Sequence, residues 1–285
     1  MAPLVFSGHL FVFTELLTII WCVFIFSLMT SATYLFNDLI DLESDRRHPI
    51  KKFRPLAAGE LPIPVAVFVA VVTVFTALYL ASWQSFFFFM ILLVYLVLQI
   101  LYTLVLKNIV VLDILTIASG FILRVYAGAF VLNVHTNVWF LLCVVSLSLF
   151  LASGKRRAEL AILTEHASLR RKTLSTYTAD TLDSYLTMFA NSAWMAYALF
   201  TFFAPPPVIT NSLWSNLPLT ISGINKWLMI TIPLVIFGLM RYLIIVYQGN
   251  RAEAPERILL SDRPLLISLF LWGALVIFIL YTLTP

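Results

Sequence analysis

The chain has 285 residues, of which 61% are hydrophobic and only 11% charged, with a formal net charge of +4 and a mean hydropathy of +0.98. Together with apolar runs of about 20 residues, this excludes a soluble enzyme and describes an all-α polytopic membrane protein. The runs are too long for barrel strands and lack their alternation, and no polar stretch is long enough for an appended soluble domain, so residues 1–285 read as one intramembrane domain.

The N-terminus, MAPLVFSGHL, lacks a basic region and a small-residue cleavage site, so no signal peptide is expected. Spans are predicted near residues 13–37, 62–82, 85–105, 109–132, 137–154, 181–203, 226–248 and 264–283. The first runs into residues 37–56, NDLIDLESDRRHPIKKFRPL, which hold three aspartates, a glutamate, an asparagine and five Lys/Arg. At about 100° per residue a helix sets Asp38, Asp41 and Asp45 within roughly 60° of one another, with Asn37 one turn before Asp41. Three carboxylates on one stripe repel each other, which favours a divalent cation over a plain solvated face. The bases that follow suggest that the cation carries phosphates.

Between the third and fourth spans, YTLVLKNIVVLD (residues 102–113) puts Lys107 in a short turn and Asp113 at the next helix start. Arg124 lies eleven residues further on, in an otherwise apolar helix. It is either a functional cation or half of an ion pair with Asp113 or Glu15. The fifth span ends in SGKRRAEL, where Gly154 is expected to close the helix before Lys155, Arg156 and Arg157. These three form either a positive-inside flank or a phosphate clamp, with Glu159 placed to orient Lys155. Arg170, Arg171, Lys172 and Tyr177 would cover such a site or touch anionic lipid. Asp180 and Asp183 suit a helix N-terminus. Arg257 and Arg263 lie between the last two spans, within reach of the same face. Cys22 and Cys143 read as packing residues, and His9, His135 and His166 have no ligand-spaced partners.

Charge concentrates in the loops 38–60, 105–108, 155–180 and 249–263, while the alternating loops 83–86, 133–136 and 204–225 hold none. The positive-inside rule places the charged face in the cytoplasm. An acidic stripe plus basic segments on one face points to transfer chemistry on a diphosphate, with charge on the leaving group stabilised by metal and cations. A catalytic triad, a Walker A loop and a kinase glycine loop are all missing, which disfavours acyl transfer and NTP use.

NDLIDLESDR resembles the NDxxDxxxD motif of the UbiA-type prenyltransferase superfamily, helical intramembrane enzymes that use Mg²⁺. The extension DRRHPIKKFRPLAAGEL, with LKNIVVLDILTIASGFILRVYAG and LFLASGKRRAEL, is similar to the decaprenyl-phosphate phosphoribosyltransferase branch. That similarity runs from about residue 3 through ERILLSDRPL. It implies a UbiA-like fold of eight full transmembrane helices plus a truncated first helix, because the basic, Trp-containing opening of that branch is replaced by MAPLVFSGHL. It also implies transfer of 5-phosphoribosyl from 5-phosphoribosyl-1-diphosphate to a polyprenyl (decaprenyl-type) phosphate at a bacterial inner membrane, in cell wall biosynthesis. Asp38, Asp41 and Asp45 would be catalytic and, with Asn37, would hold Mg²⁺ and diphosphate. Arg46, Lys51, Lys52, Arg54, Tyr102, Lys107, Arg124, Lys155, Arg156 and Arg157 would bind the substrates. Ordinary superfamily members carry a second acidic motif where this chain has GKRRAELAILTEH. The alternatives are a conventional prenyltransferase and a transporter or lipid-binding protein. No nucleic-acid partner is expected, and a homo-oligomer is compatible with this picture.

Overall fold

A computed structural model describes residues 1–48, 50–134, 136–162, 176–203, 220–221, 224–247 and 261–282. Arg170, Arg171, Lys172, His135, His166, Arg257 and most of the 204–225 loop therefore lie outside the described residues. The helices are α1 (Ala2–Phe6), α2 (Phe13–Ile40), α3 (Leu42–Arg47), α4 (Ile63–Gln84), α5 (Phe86–Leu104), α6 (Leu112–Leu132), α7 (Val138–Ile162), α8 (Ala179–Phe203), α9 (Ile232–Tyr247) and α10 (Arg263–Thr282). A 3₁₀ segment, Trp227–Thr231, runs directly into α9. Counted with it, eight of these helices are long and apolar enough to cross a membrane. The described residues are thus all-α, apart from a two-residue ladder pairing Thr220–Ile221 with Ile224–Asn225. The contacts divide it into two compact units, one over residues 1–134 and one holding α7–α10.

In the first unit α2, α4, α5 and α6 pack around Cys22, Ile25, Phe26, Met29, Ala77, Ala81, Phe88, Leu92, Tyr95 and Ala127. Helix α4 buries only alanines, at positions 66, 70, 77 and 81, while Phe68, Phe75, Tyr79 and Trp83 are exposed. Small residues let backbones approach where lipid leaves no hydrophobic drive between helices, and the large side chains face the lipid instead. Local signals start and stop the helices. Ser85 caps α5 by accepting from the Phe88 N–H at 3.1 Å, and Asn133 ends α6 in the left-handed conformation at φ 52°. The short α1 packs on α6 with Leu4 fully buried.

Arg124 forms no pair with Asp113 or Glu15. The guanidinium instead lies over the rings of Tyr95, Phe26 and Phe121 at 5.3, 5.7 and 5.5 Å from their centroids. It donates to the Tyr95 hydroxyl at 3.0 Å and to the Gly120 carbonyl at 3.3 Å. Eleven residues are three turns but about 16 Å of rise, so sharing a helix face does not bring Asp113 within reach. Glu15 is paired with His9 at 2.7 Å.

The second unit packs around Phe150, Ala158, Leu186, Ala190, Ala193, Leu239, Tyr242, Val246 and Leu265. Gly154 does not end α7, which continues two further turns to Ile162. The lack of a side chain at Gly154 serves packing: a Cβ there would stand 2.6 Å from the Tyr242 hydroxyl and 2.8 Å from its ring. Those added turns stay helical because their charges find partners. Arg156 donates to Glu159 at 2.5 Å and Arg157 to Asp183 at 2.7 Å. Glu159, expected to orient Lys155, is paired with Arg156, and Asp183 is an ion-pair partner rather than a simple dipole complement. Asp262 caps α10 by accepting from the Leu265 N–H at 2.9 Å. The hydrogen bond from Arg241 holds its carboxyl below the usual range. Cys22 and Cys143 are both free thiols.

Gly154→Ala gains helix propensity of about 1 kcal/mol but drives a methyl into a packed aromatic ring, which costs about 1–3 kcal/mol. The expected net result is a lower melting temperature in detergent, restored when Tyr242→Leu makes room. An Ala variant as stable as wild type would contradict this packing.

Candidate active site

The acidic stripe spans a helix junction. Helix α2 ends at Ile40, Asp41 sits between helices at φ −90°, ψ 5°, and α3 begins at Leu42. Helical hydrogen bonding passes through the junction, from the Asp41 N–H to the Asn37 carbonyl at 2.9 Å and from the Asp45 N–H to the Asp41 carbonyl at 2.8 Å. The kink therefore leaves the shared face intact, and the three aspartates come together as their spacing requires.

Two cations from other segments meet this face. Arg54 follows the 3₁₀ turn Lys51–Phe53. One nitrogen of it, Nη1, donates to Asp38 Oδ1 at 2.6 Å and to Asp45 Oδ2 at 2.8 Å. Lys107 comes from the 3₁₀ turn Leu106–Asn108 between α5 and α6 and donates to Asp41 Oδ1 at 2.5 Å. Both members of this second pair are largely withdrawn from water, with side chains 8% and 13% exposed. Thr103 Oγ1 donates to Asn37 Oδ1 at 3.4 Å, a long bond that orients the amide oxygen.

The remaining expected residues are placed less tightly. Tyr102 is half-buried on the last turn of α5, and Lys51 is half-buried in its 3₁₀ turn. Arg46 is exposed on α3, and Lys52 stands 5.1 Å over the ring of Phe53, itself well exposed. Arg124 is set about 18 Å along α6 from the helix start, away from Lys107. Lys155, Arg156 and Arg157 belong to the second unit. There Arg156 is buried against Glu159, while Lys155 and Arg157 are half-buried, with Arg157 also over the Tyr247 ring at 5.9 Å.

Two contributors escaped the residue-by-residue reading. His48 is buried, and its Nδ1 accepts the backbone N–H groups of Ile50 and Lys51 at 3.3 Å each, which pins the turn carrying Lys51 and Arg54. A histidine before Pro49 in a basic turn was the signal available. Val111 takes φ 70°, ψ −44°, a region that strongly disfavours a β-branched residue. It does so where the chain leaves Lys107 and enters α6, and no sequence pattern announces it.

As a cation site, the donor set is all oxygen and suits a hard divalent ion. Among the described residues no three His, Cys, Asp or Glu side chains form a ready-made metal cluster. What is present is a seat for one positive group between Asp38 and Asp45, held by the Arg54 guanidinium.

The UbiA prenyltransferase family profile matches residues 3–272. Over 248 residues the chain is 33% identical to a decaprenyl-phosphate phosphoribosyltransferase of Mycolicibacterium smegmatis, covering 87% of this chain and 76% of the relative. It is 34% identical to the protein of that name in Mycobacterium tuberculosis, over 88% and 78% of the two chains. In fold it resembles a UbiA homolog from Archaeoglobus fulgidus bound to DMAPP and Mg²⁺, with a TM-score of 0.66 at 16% identity over 93% of this chain and 88% of that one.

Breaking a buried pair by removing one partner costs about 3–5 kcal/mol. Lys107→Met is therefore expected to lower thermal stability sharply, and adding Asp41→Asn to recover most of the loss. Additive losses in this double-mutant cycle would contradict the pairing.

Proposed function

This chain belongs to the UbiA prenyltransferase family, and on that premise we propose that it transfers 5-phosphoribosyl from 5-phosphoribosyl-1-diphosphate to a polyprenyl phosphate. In this reaction an oxygen of the lipid phosphate bonds to the anomeric carbon of the ribose as that carbon's bond to diphosphate breaks. The acceptor is already anionic, its second pKa being near 6, so the step needs no general base. What carries the phosphoribosyl assignment is the 33–34% identity to phosphoribosyltransferases over nearly nine-tenths of the chain.

Asp38, Asp41, Asp45 and the Asn37 amide oxygen are assigned to Mg²⁺, which when bound would offset charge building on the departing diphosphate. The donor chemistry and the cation seat between Asp38 and Asp45 support that assignment. Arg54 and Lys107 already meet these carboxylates and would share their hydrogen bonds with phosphate oxygens. Arg46, Lys51 and Lys52 are assigned to further phosphate contacts, and Tyr102 to the substrate side of α5. Arg124 is left out of the phosphate set, since its depth along α6 and its three aromatic partners suit a packing cation. In the second unit Lys155, Arg156 and Arg157 are assigned to phosphate, with Glu159 and Asp183 as their partners at rest. Apolar helix faces would take the isoprenoid tail. The charge asymmetry of the loops supports a cytoplasmic orientation of the acidic face, and a bacterial inner membrane is part of the same proposal.

A turnover assay in nanodiscs tests this. With 5-phosphoribosyl-1-diphosphate, polyprenyl phosphate and Mg²⁺, a phosphoribosyl lipid is expected. Asp45→Ala should lower the rate by about two orders of magnitude or more. A prenylated product from a polyprenyl diphosphate and an aromatic acceptor, with no phosphoribosyl lipid, would overturn the assignment.

A further inference from the structure

We infer that Arg54 is the resident counter-ion of the Asp38–Asp45 seat, and that the divalent metal therefore loads together with diphosphate rather than ahead of it. The inference rests on the metal–diphosphate assignment above and adds an order of events to it.

Three observations carry it. The first is occupancy: a single guanidinium nitrogen bonds Asp38 Oδ1 and Asp45 Oδ2, at 2.6 and 2.8 Å, so a metal ion drawing on those two oxygens would compete with that nitrogen. The second is an asymmetry of burial. The Arg54 side chain is 38% exposed, whereas Asp45 is 5% exposed. The cation can swing into water, while the carboxylate is held in place. Lys107 contrasts with it, being enclosed with Asp41. The third is a fixed pivot. The Arg54 backbone is extended at φ −66°, ψ 142°, as a residue before proline prefers. Its N–H donates to the Lys51 carbonyl at 3.0 Å, and its carbonyl accepts from the Ala58 N–H at 2.8 Å. The side chain can therefore change partner by rotamer alone.

The energetics follow from these placements. A metal ion arriving alone must send Arg54 into water without a partner, losing two charge-assisted hydrogen bonds. A metal ion arriving with diphosphate brings Arg54 an anion to bond in their place. Metal and diphosphate are thus coupled through one side chain, and the coupling is reciprocal. Arg54 acts as a positioning residue that keeps the carboxylates together and withholds them from bare metal.

Mn²⁺ binding to the full chain in detergent, read from the free-ion EPR signal with and without inorganic diphosphate, tests this independently of turnover. Wild type is expected to bind Mn²⁺ weakly alone and on the order of tenfold more tightly with diphosphate. Arg54→Gln should bind Mn²⁺ tightly without diphosphate and gain little from it, and Asp38→Asn in that background should abolish the gained affinity. Arg54→Lys, which keeps a charge but offers one compact ammonium, should fall between the two, and it answers the question should the Gln variant fail to fold. Equal Mn²⁺ affinity of wild type and Arg54→Gln without diphosphate, with diphosphate-dependent binding intact, would overturn the role of Arg54 alone. Failure of wild type to bind Mn²⁺ even with diphosphate would overturn the metal assignment and this inference together.

Discussion

Negative charge gathered at the end of a membrane-length helix must be neutralised, and Lys107 and Arg54 meet that constraint from two different segments. Asp45 is 4% exposed, and an uncompensated carboxylate so withdrawn from water is strongly destabilising. The cations that answer it come from the α5–α6 connection and from the loop after α3, and each connection is shaped to deliver its charge. His48 accepts two backbone N–H groups to hold the turn that precedes Arg54. The chain takes the unfavourable Val111 conformation just beyond Lys107. Backbone strain at such a point is tolerated where surrounding contacts over-determine it, and the enclosed Lys107–Asp41 pair is such a contact.

The second unit solves the same problem with side chains on its own helices. Arg156 pairs with Glu159 and Arg157 with Asp183. They let α7 carry a basic run past the point where its hydropathy falls. The close approach of Tyr242 to Gly154 then fixes α9 against α7 at the level where that run begins. A glycine that would read as a stop signal in isolation is here the condition for two helices to touch. For function, the contrast between the units is that the second unit's Arg156 is sealed against its partner, whereas the first unit's Arg54 sits on the rim of its carboxylates with a way out to water.

The fold was legible in hydropathy because a bilayer admits few solutions: backbone groups must bond within a helix, so length and apolarity identify the spans. The expected boundaries of α2, α4, α5, α6, α8 and α10 lie within about three residues of those observed. Gly154 misled because glycine at the end of an apolar run is a strong local C-cap signal, and only the Tyr242 ring explains why it lies inside α7. Arg124 was legible as an outlier but not in its partners. The helical period shows which residues share a face, but not which rings from α2 and α5 will stand beside it.

At the acidic face, the sequence by itself determined that Asp38, Asp41 and Asp45 share one side, since three- and four-residue spacings hold across a single-residue junction. Membership of the family was equally a property of the sequence. Tertiary structure decided the pairing: that Arg54, and not Arg46 or Lys52, bridges Asp38 and Asp45, and that Lys107, 66 residues beyond Asp41, encloses it. Spacing along one helix follows from backbone geometry alone. The choice of counter-ion depends on which loops the packed helices bring to that face and on which cations they shield from water.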